Sequence, residues 1–182
     1  MSEPSVRRLN WGCGSSPKPG WINSDRRSVG VVDVVADIHD GLPLDDDSID
    51  YAVSVHALQE IPYAGLVPAL RELRRVLRPG GVLRLVLPDL DKGIRAYLAN
   101  DREHFLVPDE EAKSLGGKFI VHMLWHGHSR VLFTYDFVEE LLLKAGFAHV
   151  SRCVYRKTAS VYPGIVELDN RERESLFIEA VK

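Results

Sequence analysis

The feature that most constrains this chain is a Gly-x-Gly turn that directly follows a short predicted strand near the amino terminus. Residues 9–14 read Leu-Asn-Trp-Gly-Cys-Gly. Glycine has no Cβ and tolerates positive φ, so a ligand can approach the backbone closely at Gly12 and Gly14. Asp25 and Asp37 each close a predicted strand, and their carboxylates can accept hydrogen bonds from sugar hydroxyls and an adenine amine. Together these residues predict a binding site for a cofactor that contains adenosine.

Composition limits the class of protein further. The chain has 182 residues, of which 45% are hydrophobic and 27% charged, which fits one domain with its own core. Its net charge of −3 makes nucleic acid an unlikely partner. The sequence contains no apolar run of about 18 residues and no signal-peptide pattern. Its two cysteines, Cys13 and Cys153, lack metal-ligand spacing. We therefore expect a cytoplasmic protein with no membrane span and no metal.

Strand and helix patterns alternate along the chain, which predicts an α/β fold with a mainly parallel sheet between helices. Predicted strands cover residues 6–10, 21–24, 31–36, 51–55, 82–87, 149–155 and 175–181, and predicted helices cover 66–77, 91–98 and 135–145. The strand at 82–87 is apolar except for Arg84, which is typical of a strand buried on both faces.

Two segments have no clear periodicity. Residues 100–129 contain the pair Gly116-Gly117 and are predicted to be irregular, and we interpret them as a substrate or lid insertion within a single domain spanning 1–182. The link between the last two strands, at 156–173, is long for a hairpin and indicates an ordered functional loop.

The whole chain resembles a class I S-adenosylmethionine-dependent methyltransferase of the small bacterial, type 11-like kind. The resemblance rests on residues 9–14, 20–25, 42–44, 48–50, 72–81, 145–147 and 175–182, and the Leu-Arg-Pro-Gly-Gly segment before the fifth strand is especially typical. It implies a Rossmann-like sheet of seven strands in the order 3-2-1-4-5-7-6, with only strand seven antiparallel. It also implies S-adenosylmethionine as the cofactor.

The resemblance assigns expected roles to individual residues. Gly12, Cys13 and Gly14 would lie against the methionine portion of the cofactor, and Asp25 would accept from the ribose hydroxyls. Further expected contacts are Asp37 and Ile38 at the adenine, and Val55 and His56 near the sulfonium. Asn10 stands where such enzymes usually have an acidic residue, so its contact with the cofactor ammonium would be uncharged.

The first crossover departs from the usual pattern. Gly12 and Asp25 are 13 positions apart (25 − 12), against about 20 in a nucleotide-binding βαβ unit. Pro17 and Pro19 fall between them and exclude a regular helix, so this crossover helix is predicted to be reduced. Because its N-terminus would be lost, we hypothesise that loop N–H groups, with Lys18 or Arg26, contact the cofactor carboxylate.

Catalytic candidates are His56, which follows strand four, and His128, which precedes the last long helix. A histidine can remove a proton near neutral pH, although methyl transfer depends mainly on alignment of the nucleophile. A metal site at His126 and His128 is disfavoured because no further ligand cluster accompanies them.

Three functions remain open on the sequence. The leading one is methyl transfer to an oxygen or nitrogen of a small-molecule acceptor, such as a sugar, glycan or natural-product precursor. The alternatives are a nicotinamide-dependent oxidoreductase and a partner subunit that binds S-adenosylmethionine but is catalytically weak. No amino-terminal lid helix is predicted, so the middle segment, a partner or the acceptor would cover the site. Among oligomeric states, we favour a homodimer.

Overall fold

A single seven-stranded sheet organises the protein, in a computed structural model that describes residues 6–28 and 30–182. The strand order is β3-β2-β1-β4-β5-β7-β6, and only β7 runs antiparallel to its neighbours. The strands are β1 Arg8–Trp11, β2 Ile22–Asp25, β3 Val34–Val35, β4 Ile49–Val55, β5 Leu77–Pro88, β6 His149–Cys153 and β7 Ser175–Val181. The expected fold class and strand order are confirmed.

The helices are α1 Tyr63–Val76, α2 Leu90–Leu98, α3 Leu115–Leu124 and α4 Tyr135–Ala145. Helices α1 and α4 pack together on one face of the sheet. Their apolar positions, including Leu66, Leu70 and Leu73 of α1 and Leu142 of α4, are fully buried in the main core. The amphipathic spacing of α1 therefore places its leucines on the sheet and its arginines toward the rim.

The opposite face carries a second, smaller apolar cluster beneath β1, β4 and β5. Trp21, Tyr51, Val53 and Val82 are buried there against Ile165, which belongs to the link between β6 and β7. The connection from β1 to β2 contains no helix, as expected. The β6–β7 link therefore covers sheet surface that a crossover helix would otherwise protect.

Arg84 anchors this link from beneath. Its guanidinium is fully buried and contacts both carboxylate oxygens of Asp169, with Nε–Oδ1 2.7 Å and Nη2–Oδ2 2.6 Å. Its Nη1 lies 2.6 Å from Glu179 Oε1 on β7. Backbone carbonyls of Val154 and Lys157 accept its remaining donors. Arg84, the one charged residue of the apolar run 82–87, thus ties the sheet to the long link.

The structure corrects several predicted elements. Strand β3 was predicted over 31–36 but pairs only at Val34–Val35, because the Asp33 carboxylate, rather than a backbone carbonyl, accepts from the Asn23 N–H at 2.8 Å. Strand β6 ends at Cys153 rather than at residue 155. Strand β5 starts at Leu77, so residues 78–81 already extend from the end of α1.

Residues 100–129 are more regular than predicted, because they contain α3. Ser114 caps this helix through its Oγ, which accepts from the Gly117 N–H at 3.0 Å. The glycine pair lies in the first turn, where this cap supports it, and Met123 packs against Gly93 of α2. The interpretation of 100–129 as a lid or substrate insertion stays a prediction.

None of the helices within the described ranges 6–28 and 30–182 has the length and apolarity that crossing a membrane requires.

Candidate functional site

A cleft of about 490 Å³ opens at the carboxyl ends of β1, β2 and β4, and we call it the main cleft. Its walls include nine of the predicted cofactor residues: Gly12, Cys13, Gly14, Asp25, Arg26, Asp37, Ile38, Val55 and His56. The other two, Asn10 and Lys18, line an adjoining cleft of about 430 Å³. The two clefts share Gly12, Val55 and His56, so they meet where β1 and β4 end.

Gly12 makes the close approach between β1 and β4 possible. Its φ is +72°, and a Cβ added there would lie 2.3 Å from the Cβ of Ala57. Any side chain would therefore push the segment after β4 away. Gly14, with φ +51°, faces open space instead. The turn is therefore closely packed against Ala57 at Gly12, whereas its surface at Gly14 is accessible to a ligand.

Hydrogen bonds from backbone N–H groups hold the carboxylates of Asp25 and Asp37 in fixed orientations. The Asp25 carboxylate accepts from the N–H groups of Gly14 and Arg27, both at 2.9 Å. Asp37 accepts from the His39 N–H at 3.0 Å and caps the short helical turn Ile38–Asp40. A carboxylate has about four lone-pair positions, so each retains acceptor capacity for a ribose hydroxyl or adenine amine. The volume and these acceptors fit an adenosine cofactor.

The hypothesis that loop N–H groups bind the cofactor carboxylate stays a prediction, although most of these groups already have acceptors within the protein. The N–H groups of Gly12 and Cys13 donate to Ser24 O at 2.8 and 3.0 Å, and that of Gly14 to Asp25. Those of Ser16 and Lys18 donate to Cys13 O and Asn23 Oδ1. Within the described residues 12–20, Ser15 and Gly20 have N–H groups without an acceptor. The side chains of Lys18 and Arg26 stay as predicted contacts.

His56 lies at the centre of the site. It follows β4 with φ +51°, and its Nε2 is 2.8 Å from the Ser175 Oγ at the start of β7. Burial lowers the pKa of His56 to about 3, and the nearby Arg171 and His122 add to that effect. The imidazole is therefore neutral at physiological pH and is a weak base.

His128 is not brought to this site. It is exposed and does not line either cleft. The neighbouring His126 is directed toward Glu111, with Nδ1–Oε2 3.0 Å. The structure therefore unites His56, but not His128, with the predicted cofactor residues.

The sequence reasoning did not assign site roles to several cleft residues, including Trp125, Arg130 and Arg171. Trp125 follows α3, and Arg171 comes from the β6–β7 link; the Arg171 guanidinium lies 4.9 Å from the centre of the Trp125 ring. Both have left-handed backbones, with φ +45° and +53°. No sequence signal marks a tryptophan or arginine for this conformation, which costs about 1–2 kcal/mol per residue.

Comparisons with known proteins agree with this geometry. Residues 11–85 match the family model described as "Methyltransferase domain". An uncharacterized 37.1 kDa protein in transposon TN4556 of Streptomyces fradiae is 51% identical over 57 residues, which are 31% of this chain and 16% of that protein. The chain therefore matches only about a sixth of that relative's length.

Solved structures of S-adenosylmethionine-dependent methyltransferases share the fold over nearly the whole chain. One from Thermotoga maritima is 21% identical, and the match covers 100% of this chain and 84% of that protein, with a TM-score of 0.58. One from Archaeoglobus fulgidus is 11% identical and covers 97% and 86%, with a TM-score of 0.59.

The strand order matches the fold of these solved methyltransferases, the cleft lies at the carboxyl ends of the strands, and residues 11–85 match a methyltransferase family model. Within that class, the chain is similar to the type 11 kind, as its sequence motifs indicated. The expected fold is confirmed, and the family match over residues 11–85 supports the resemblance, the enzyme class and the expected cofactor.

Proposed function

We propose that this protein transfers the methyl group of S-adenosylmethionine to an oxygen or nitrogen of a small-molecule acceptor. The observation that carries the proposal is the joint placement of Gly14, Asp25 and Asp37 on one side of the main cleft and His56 on the other. The cofactor, when bound, supplies an activated methyl group, so the protein's tasks are to position it and to align the acceptor.

The residues divide these tasks. Asp25 and Asp37 orient the adenosine portion, and Ile38 offers an apolar surface for the adenine. Asn10 lies at the end of β1, where its Nδ2 donates to Asn23 Oδ1 at 3.1 Å. Its own Oδ1 is the group that we assign to the cofactor ammonium.

His56 is assigned to alignment of the acceptor rather than to removal of its proton. A group with a pKa of about 3 is a poor general base near neutral pH. As a neutral ring beside Ser175, it can exchange a hydrogen bond with the acceptor nucleophile. Acceptors that reach the cleft with a free lone pair, such as a neutral amine, suit this arrangement best.

Titration calorimetry with S-adenosylmethionine and with S-adenosylhomocysteine tests the cofactor site. We expect micromolar binding of both ligands by the wild type and at least about tenfold weaker binding by Asp25→Ala. Because Asp25 also supports the turn, Asp25→Asn, which keeps an acceptor, should lose less. Asp45→Asn removes the charge of an exposed residue outside the cleft and serves as the matched control. Equal affinities in all four proteins would contradict the assignment.

The partner-subunit alternative draws support from the uncharged Asn10 and from the engaged N–H groups of the turn. Both reduce the contacts available to the cofactor methionine. Methylation of an acceptor panel by the purified protein alone would exclude this alternative, whereas activity only with a second methyltransferase would favour it. The homodimer likewise stays a prediction, which light scattering in solution can check.

A further inference from the structure

The main cleft contains one arginine without an acidic partner. Four arginines line it, and three of them have a carboxylate within ion-pair distance. The pairs are Arg26–Glu60 at 3.5 Å, Arg27–Asp25 at 4.0 Å and Arg171–Glu174 at 3.4 Å. Arg130 has no such partner among residues 6–28 and 30–182. Its exposed charge is therefore available to an anion that enters the cleft.

Arg130 and Arg171 lie on the β4 side of the cleft. The N–H of Arg130 donates to Gln59 O at 2.8 Å, so its backbone is fixed to the segment that follows His56. Arg171 precedes β7, whose first residue, Ser175, contacts His56. The acidic residues Asp25 and Asp37 lie after β2 and β3, beyond β1 in the sheet order. At the predicted adenosine end, Asp25 is paired with Arg27, whereas the predicted acceptor end contains Arg171 and Arg130, which has no acidic partner among the described residues.

A buried chain of contacts holds Arg171 in place. The Nδ1 of His122 accepts from the Leu106 N–H at 3.2 Å, so its Nε2 carries the proton and donates to Glu174 Oε2 at 3.3 Å. The other oxygen of Glu174 contacts Nη1 of Arg171, whose guanidinium covers Trp125. Glu174 engages only Nη1, and a guanidinium has five N–H donors in a fixed fork. The remaining donors can bind a second oxyanion without moving the side chain.

We propose that Arg130 and Arg171 form a subsite for an oxyanion group of the methyl acceptor, a carboxylate or a phosphate. The proposal rests on the proposed function, since it identifies the class of small molecule that the same cleft methylates. A cationic sulfonium and two arginines in one cleft repel each other, and an anionic acceptor offsets that repulsion. Arg171 lines both clefts, so the test must separate this role from binding of the cofactor's own carboxylate.

The experiment titrates the full-length protein with phenyl phosphate, benzoate and the neutral benzyl alcohol, with and without saturating S-adenosylhomocysteine. The variants are Arg130→Gln and Arg171→Gln. Arg173→Gln is the matched control, because it removes the same charge two residues away, where the side chain pairs with Asp101 outside both clefts. Thermal melting of each variant checks that it is folded.

We expect at least one anion to bind in the presence of S-adenosylhomocysteine and benzyl alcohol not to bind. Each cleft variant should weaken anion binding about tenfold or more, while Arg173→Gln leaves it unchanged. The anion that binds more tightly identifies the group, carboxylate or phosphate. Equal weakening by Arg173→Gln would show a general charge effect and overturn the subsite.

Two further outcomes are decisive. If Arg130→Gln weakens S-adenosylhomocysteine as much as the anions, the arginines hold the cofactor carboxylate and the proposal is wrong. If S-adenosylhomocysteine fails to bind the wild type while phenyl phosphate still binds through both arginines, the proposed function fails and the anion subsite stands.

Discussion

Asp169→Asn should destabilise the protein strongly, because it removes one of the two carboxylates that neutralise a fully buried arginine. The side chains of Arg84 and Asp169 are both 0% exposed, and that of Glu179 is 6% exposed. Asparagine keeps the shape of aspartate, so the change acts on charge rather than on packing. Breaking a buried ion pair by neutralising one partner costs about 3–5 kcal/mol.

Because Glu179 still faces Arg84, we expect the lower end of that range, about 3 kcal/mol. A domain of this kind has a free energy of unfolding of about 5–15 kcal/mol, so the loss is a large share of the total. Urea unfolding followed by far-ultraviolet circular dichroism measures it. The midpoint should fall while the dependence on urea stays the same, since the surface exposed on unfolding does not change.

The same segment provides the matched control. Glu167 contacts Arg8 at 3.4 Å, and both side chains are partly exposed, so Glu167→Gln should cost less than about 1 kcal/mol. Because Asp169 ties the link to the sheet, Asp169→Asn should also loosen the link, and trypsin should cleave it faster at Arg156 and Lys157 well below the unfolding midpoint. A loss below about 1 kcal/mol, or one equal to that of Glu167→Gln, would refute the role assigned to Arg84.

Three further outcomes follow from the site. Gly12→Ala should reduce both stability and cofactor affinity, since its Cβ would clash with that of Ala57. Gly80→Ala has a similar positive φ but open space for its Cβ, so it loses stability only through backbone strain. The difference between the melting temperatures of the two variants therefore gives the steric part of the loss. Burial lowers the pKa of His122 to about 4, below its value of about 6.5 in the unfolded chain. Its contribution to stability is therefore complete above about pH 6.5 and is lost as the pH falls toward 4, so His122→Gln should flatten the pH dependence of the urea midpoint. The kcat for methyl transfer should show no ionisation near pH 6.5, because His56 titrates near pH 3; a kcat that rises through a pKa of about 6.5 and loses this step in His56→Asn would contradict the alignment role.

Local sequence patterns were sufficient for the frame of the site. The glycine turn, the acids that end β2 and follow β3, and the prolines of the first crossover act through steric effects within a few residues. The apolar spacing of α1 and α4 fixes which face each helix buries, wherever the rest of the chain lies. The resemblance to class I methyltransferases then supplied the strand order, which local patterns do not contain.

Other features depend on segments that are distant in sequence. Gly116-Gly117 disfavours a helix locally, yet a serine cap and packing against α2 outweigh that preference. The prediction for β3 was too long because the Asp33 carboxylate occupies the Asn23 N–H that a longer strand would pair with. Propensity cannot reveal either result, since both depend on contacts made after folding.

The sequence alone determined that this chain has a strand that ends in a Gly-x-Gly turn, acids that close β2 and follow β3, and prolines that leave no room for the first crossover helix. Only the tertiary structure shows that the β6–β7 link covers the sheet in place of that helix, and that this link supplies a residue to the main cleft. Arg84 meets Asp169 across 85 positions, and that contact places the β6–β7 link on the sheet and Arg171 in the cleft. The partner of a buried charge is set by the tertiary fold, so the proposed acceptor side, with Arg171, forms only in the folded chain.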